Sequence, residues 1–148
     1  MGRKKWNAMV KSVNAWLKKD LNGTDAKWKI AYMHHPAYPA VDDGNPIYKR
    51  IRANWSPVFA SSGVELALCG HQHLYMRTKS INGVTYMMAD SGYKPTHYYK
   101  KGDPVPSYAV KFLTYQNTYE IYNVSADELK VTVYRPGGKA VDQVKFTE

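Results

Sequence analysis

The sequence predicts a mixed α/β fold, and three observations carry that prediction. A helical stripe of apolar residues runs from Trp6 to Leu21. Two apolar runs without alternation, "WKIAYMHHP" and "VELALC", read as buried strands, with a second helical stretch between them. Beyond residue 75 the helical pattern stops and turn-separated strand patterns take over.

The elements follow in order. Trp6, Met9, Val10, Val13, Trp16, Leu17 and Leu21 recur at helical spacing, with Lys4, Lys5, Lys11, Lys18 and Lys19 mostly opposite. Asn22-Gly23 is a good stop. Ile30, Ala31, Tyr32 and Met33 form the first strand, which ends at His34-His35-Pro36. "AYPAVDDGNP" is a loop of turn formers. Asn45 caps a second helix with Pro46 in its first turn; Ile47, Ile51, Trp55, Val58 and Phe59 mark its inner side, and Pro57 is a point to kink or break it. The second strand ends at Cys69, and Gly70-His71-Gln72-His73 follows. Tyr75–Ser80 and Val84–Met88 flank Asn82-Gly83, a strong hairpin signal. A long loop precedes strands near Tyr108–Tyr115, Thr118–Asn123, Leu129–Tyr134 and Val141–Phe146. Turns fall near Ser125–Asp127 and at Pro136-Gly137-Gly138. No repeat and no internal boundary is visible, so the chain reads as one domain unit over 1–148.

The totals bound the partners. The 148 residues are 44% hydrophobic, enough for a core, and carry a net charge of +9. That charge points either to an acidic partner such as a phosphate ester or to a solvated basic face. Its dense clusters, Arg3-Lys4-Lys5, Lys18-Lys19 and Lys100-Lys101, lack interleaved aromatics, so no nucleic-acid partner is expected. Cys69 is the only cysteine, which excludes an intrachain disulfide. No apolar run reaches membrane-spanning length, so no membrane partner is expected. The N-terminus has charge without the apolar stretch of a signal peptide, and the compartment stays open.

Chemistry gathers at the strand ends. Ligands of open α/β sheets collect at the carboxyl ends of their strands. His34-His35 ends one predicted strand, and His71 and His73 follow the other. Imidazole suits zinc, iron, copper, nickel or manganese sites. The glycine before the pair offers a sharp backbone turn. Most His-x-His pairs bind nothing, so packing is the competing reading.

"GHQH" after an apolar strand, "MHHPAY" upstream, "LYMRT" just after, "AWLKKDL" before and "ELKVTVYRPGGKAVDQVKF" at the end together resemble the calcineurin-like metallophosphatases, purple acid phosphatase branch. The resemblance covers nearly the whole chain. It implies the C-terminal half of an αββα sandwich, with a helix/strand part at 1–75 and an antiparallel strand part at 76–148. It also implies phosphate monoester or diester hydrolysis by metal-activated hydroxide. The complete enzyme would hold two ions of iron, zinc or manganese, about 3.5–4 Å apart. His34 and His71 would bind one metal and His73 the other. His35 matches no ligand position and reads as support or packing, with replacement of His34 the alternative. Tyr75 and Arg77 fall on positions of packing and orientation. His97 is either a substrate contact or an exposed loop histidine. Asp42 and Asp43 are general acids only if their pKa is raised; otherwise they are solvated turn residues.

Departures from the pattern matter as much. The Asp-x-His, Gly-Asp-x-x-Asp or Tyr, and Gly-Asn-His-Asp or Glu motifs do not occur in these residues. Gly102-Asp103 is followed by Pro104-Val105-Pro106, and Gly44-Asn45 by Pro46. The bridging carboxylate is therefore absent, and one metal or none is expected in this chain alone. Three readings stand. The chain is part of a phosphoesterase, weakly active or inactive by itself. Or it is a non-catalytic module that binds an anion or partner around a vestigial metal site. Or it is a half-domain completed in trans, by an N-terminal half or by self-association. The resemblance implies an exported parent.

Overall fold

The computed structural model describes residues 2–90 and 98–147. Helix α1 spans Arg3–Asn22, and the Gly23 N–H closes it onto the Asp20 carbonyl at 3.3 Å. Its covered part is short. Val10 is buried, and Trp6 lies 6.4 Å from the Trp55 ring with the Arg50 guanidinium over its own ring at 5.0 Å. Farther along the same stripe, Trp16 is 59% exposed.

Strand β1 is Ile30–Tyr32, and here the structure corrects the expectation of a buried strand. β1 is the edge of its sheet, and Tyr32 is 87% exposed. An uninterrupted apolar run signals a strand meant for cover on both faces, and here only Ala31, between two exposed positions, packs against the helix-side core. Helix α2, Pro46–Asn54, starts as predicted: Asn45 Oδ1 accepts the Ile47 N–H at 3.1 Å. Such a cap contributes about 1 kcal/mol. Pro57 breaks the helical run rather than bending it, because α3 is a separate helix, Ser56–Ser61.

Strand β2, Leu66–Cys69, runs parallel to β1, with Ile30 opposite Leu66 and Tyr32 opposite Leu68. Strands β3, Tyr75–Thr78, and β4, Thr85–Met88, form the predicted hairpin. Its turn puts Asn82 at φ 51° and Gly83 at φ 86°, the two left-handed residues that this tight turn requires. Strand β5, Ala109–Leu113, pairs with β3 and closes the far side, giving the order β1-β2-β4-β3-β5. The second sheet is wholly antiparallel: β6 Tyr119–Val124, β7 Glu128–Tyr134 and β8 Ala140–Thr147.

Alternation along the central strands sorts their side chains onto two faces. Ala67, Val84 and Tyr86 meet Ile51 and Phe59 on the helix side. Leu66, Tyr75 and Met87 meet Val131 and Val133 of the second sheet. The layers are thus helices, mixed sheet, antiparallel sheet. Leu66 is fully buried, worth roughly 1.5–3 kcal/mol against an exposed side chain. No helix of the described residues is long and apolar enough to cross a membrane.

Candidate metal centre

Strands β1 and β2 are parallel neighbours, so their carboxyl ends emerge side by side. Two backbone bonds continue the pairing past the strands: Met33 N–H to the Leu68 carbonyl at 2.9 Å, and Gly70 N–H to the His34 carbonyl at 3.1 Å. They hold the two histidine segments against each other. Ligand atoms of His34, His35 and His71 all lie within 4.8 Å of one another. His71 Nδ1 and His34 Nε2 share a hydrogen bond of 3.2 Å, one ring donating and the other accepting. The ring centres are 4.9 Å apart for His34 and His35, 5.1 Å for His34 and His71, and 4.3 Å for His35 and His71.

The structure thus groups His34 and His71 with His35. His73 is outside that group and packs edge-on to the Tyr98 ring at 6.3 Å. Tyr98 also lies 5.4 Å from the His71 ring. His97 falls outside the described residues. Tyr75 and Arg77 point the other way, to the second sheet. The Tyr75 hydroxyl donates to Asp142 Oδ2 at 2.8 Å, and Arg77 donates to both Asp142 oxygens at 2.8 and 2.9 Å.

The sharp turn sits on different residues from those expected. Gly70 is outside the left-handed region, and a Cβ there would touch nothing within 4 Å. His71 (φ 79°) and His73 (φ 50°) carry the positive φ themselves. A non-glycine residue held there costs on the order of 1–3 kcal/mol and persists where its surroundings impose it.

Gln72, which the sequence reading passed over, supplies that imposition. It is fully buried. Its Oε1 accepts the Ala40 and Val41 N–H groups at 2.8 and 3.1 Å. Its Nε2 donates to the Val41 carbonyl at 2.7 Å and to the Tyr48 hydroxyl at 3.2 Å. The Tyr48 hydroxyl in turn donates to Asp43 Oδ2 at 3.1 Å. A buried glutamine that satisfies the backbone of a neighbouring loop locks its own backbone, and with it the histidines on either side. The only available sign was its place between two exposed-type residues in a tight motif. Asp42 and Asp43 cap the turn, accepting the Gly44 and Asn45 N–H groups at 3.1 and 2.9 Å. The Asp43 charge also acts on His35 and His71.

Burial, followed by repulsion from His34, lowers the His35 pKa, while Asp43 opposes the shift. Burial, then His35 and His34, lowers that of His71, again against Asp43. Both rings therefore favour the neutral form, which is the ligating form. Burial, then the Asp43 charge, pushes Tyr48 up to about 12, so its hydroxyl stays a donor. A cleft of about 560 Å³ adjoins the centre between Pro39–Asp42 and Tyr98–Tyr108, with Lys100 on its wall.

The donors fit one ion better than two. Three imidazoles converge, but among the described residues no carboxylate joins them. The two-metal centre implied by the resemblance is not matched by the described residues.

No protein-family model matches the chain. Purple acid phosphatase 18 of Arabidopsis thaliana is 30% identical over 107 residues, which is 65% of this chain and 24% of that protein. Tartrate-resistant acid phosphatase type 5 of Homo sapiens is 25% identical over 138 residues, 89% of this chain and 41% of the human protein. Among solved structures, the purple acid phosphatase PPD1 from yellow lupin (Lupinus luteus) seeds superposes with a TM-score of 0.73 at 15% identity, covering 90% of this chain and 28% of that one. GAP50, described as the anchor in the inner membrane complex of Plasmodium, gives a TM-score of 0.76 at 14% identity over 99% of this chain and 44% of its own. The chain spans less than half the length of each of these proteins.

Layer order and sheet topology thus place the chain in the metallophosphoesterase fold class. Within that class it has the purple acid phosphatase-like fold, and corresponds to its C-terminal portion.

Proposed function

We propose that this chain, read as one partial domain over 1–148, is the C-terminal part of a phosphoesterase acting on phosphate monoesters or diesters. The observation that carries the reading is the convergence of His34, His35 and His71 at the carboxyl ends of two adjacent parallel strands. A metal ion bound there polarises a phosphoryl oxygen and makes water acidic near neutral pH. The chain's own residues do the rest of the local work. Gln72 holds the histidine segment and the Ala40-Val41 loop in one geometry. The adjoining cleft is lined by Lys100 but also by Asp42 and Asp103, so its wall has no excess of positive charge to select an anionic substrate. Arg77 is already paired with Asp142, so it is not the phosphate-binding cation.

The chain alone is expected to be weakly active or inactive, because it has no carboxylate bridge. The test is hydrolysis of p-nitrophenyl phosphate by the metal-loaded chain. Activity rises when a polypeptide carrying the Asp-x-His and Gly-Asn-His motifs is added. Full activity from the chain by itself would overturn the reading.

A second reading, completion in trans by an N-terminal half or a second copy, is favoured by the uncovered apolar residues Trp16 and Tyr32 beside the open β1 edge. Light scattering after size exclusion tests it, and a clean monomer at high concentration counts against self-association. A fold hosts many functions, so the non-catalytic reading is tested beside these two. If His71→Ala and His73→Ala leave metal uptake and every binding activity intact, the histidine site is vestigial.

A further inference from the structure

We infer that this chain by itself binds one zinc-type divalent ion through His34, His35 and His71, with His73 outside the ligand set. The site is shared with the phosphoesterase reading, but the inference stands on local geometry and is tested by metal binding alone. Either can fail without the other.

The spacing is the first argument. Two nitrogens bound about 2.05 Å from one tetrahedral ion lie roughly 3.3 Å apart. His71 Nδ1 and His34 Nε2 already lie 3.2 Å apart. The His35 donor completes a triangle with no side above 4.8 Å. The His34 and His35 rings stand at 90° to each other, so these consecutive residues address one point from two directions.

Preorganisation is the second argument. One side of the triangle is fixed by the Gly70 N–H bond to the His34 carbonyl, and the other by the Gln72 bonds to Ala40 and Val41. His71 is held in a left-handed backbone conformation that aims its ring at His34 and His35. Such strain at a ligating residue is stored where a site needs it.

Donor chemistry is the third. Three imidazoles with no carboxylate favour zinc, cobalt, nickel or copper over magnesium or calcium. The Asp43 carboxylate, held by Tyr48, acts on His35 and His71 through its charge and would offset part of a bound cation's charge. His34 is exposed, which leaves a side of the ion open to a further ligand, as in three-ligand zinc centres. His73 is set apart against Tyr98.

The experiment titrates metal-stripped full chain with Co(II), read by visible absorption, and with Zn(II), read by calorimetry. The expected result is one equivalent. His35→Ala weakens binding by about tenfold or more, while His73→Ala changes it by no more than about twofold. Circular dichroism checks the fold of each variant. If His35→Ala does not fold, His35→Asn and the imidazole NMR resonances of the unaltered chain replace it: zinc then shifts His34, His35 and His71 and leaves His73 in place. Two equivalents, no binding, or a loss on His73→Ala as large as on His35→Ala each overturns the inference.

Discussion

The two edges of the antiparallel sheet are built in opposite senses. On β8, Val141, Val144 and Phe146 pack inward while Gln143, Lys145 and Thr147 face water. Asp142 ties that edge to the first sheet through Tyr75 and Arg77, and Lys145 pairs with Glu128 at 2.9 Å. On β6, Ile121 and Val124 are 45% and 59% exposed, and Glu120 is turned toward the sheet interface. Its Oε1 is buried without a hydrogen-bond partner. A natural edge is normally blunted by charge, as the exposed Lys145 does on β8, whereas β6 exposes Ile121 and Val124. β6 has the features of a strand awaiting cover. It reaches the β1 side of the molecule, where Trp28 Nε1 donates to the Ser125 carbonyl at 2.7 Å. The open edges of the two sheets therefore share one side of the fold.

Substitutions can break or sharpen this contrast. The largest effect belongs to the finished edge. Asp142→Ala leaves Arg77 and the Tyr75 hydroxyl without their partner, with side-chain exposures of only 17% for Arg77 and 9% for Asp142. We expect a loss of about 3 kcal/mol in urea unfolding. A loss below about 1 kcal/mol would show that β8 is held by packing alone.

The two carboxylates also predict opposite pH behaviour. Burial pushes Asp142 up, but hydrogen bonds from Arg77 and Tyr75 outweigh it and hold the carboxyl below its ordinary value. Its contribution is complete above the unfolded pKa of about 3.9 and is lost as pH falls through the lower folded value. Burial, then the Asp90 charge, raises Glu120. Its folded state holds the proton more tightly, so stability is greatest below about pH 4.3 and declines as pH rises through the folded value. Glu120→Gln is therefore expected to stabilise the chain at pH 7 and to give no gain in acid. Parallel pH titrations of the unfolding midpoint check both signs, and the same sign for both residues would refute the contrast.

The smallest effect on stability falls on the open edge. Ile121→Lys should change the unfolding free energy by no more than about 0.5 kcal/mol. It should nonetheless lower self-association or recruitment of an added N-terminal half, measured by light scattering. Unchanged association would remove β6 from the contact surface.

Much of the fold was legible because local rules coincide with it. The Asn45-Pro46 cap, the Asn82-Gly83 turn and the four late strands need only nearest neighbours to be recognised. The burial of β1 was misread for a physical reason: an apolar run records that a strand is suited to cover, not whether cover is present. The histidines were visible as a group, but membership of the cluster was not. Which rings meet depends on the left-handed backbone at His71 and His73 and on the hydrogen bonds of Gln72.

By itself, then, the sequence determined the order of elements, the chemistry available at the strand ends and the absence of a bridging-carboxylate motif from these residues. Periodicity, turn preference and side-chain type act over short separations along the chain. Only the tertiary structure decided that His35 stands beside His34 and His71, that Arg77 serves Asp142, and that β1 and β6 are left open. Each of these depends on contacts between residues far apart in sequence, and no local pattern encodes which distant partner completes them.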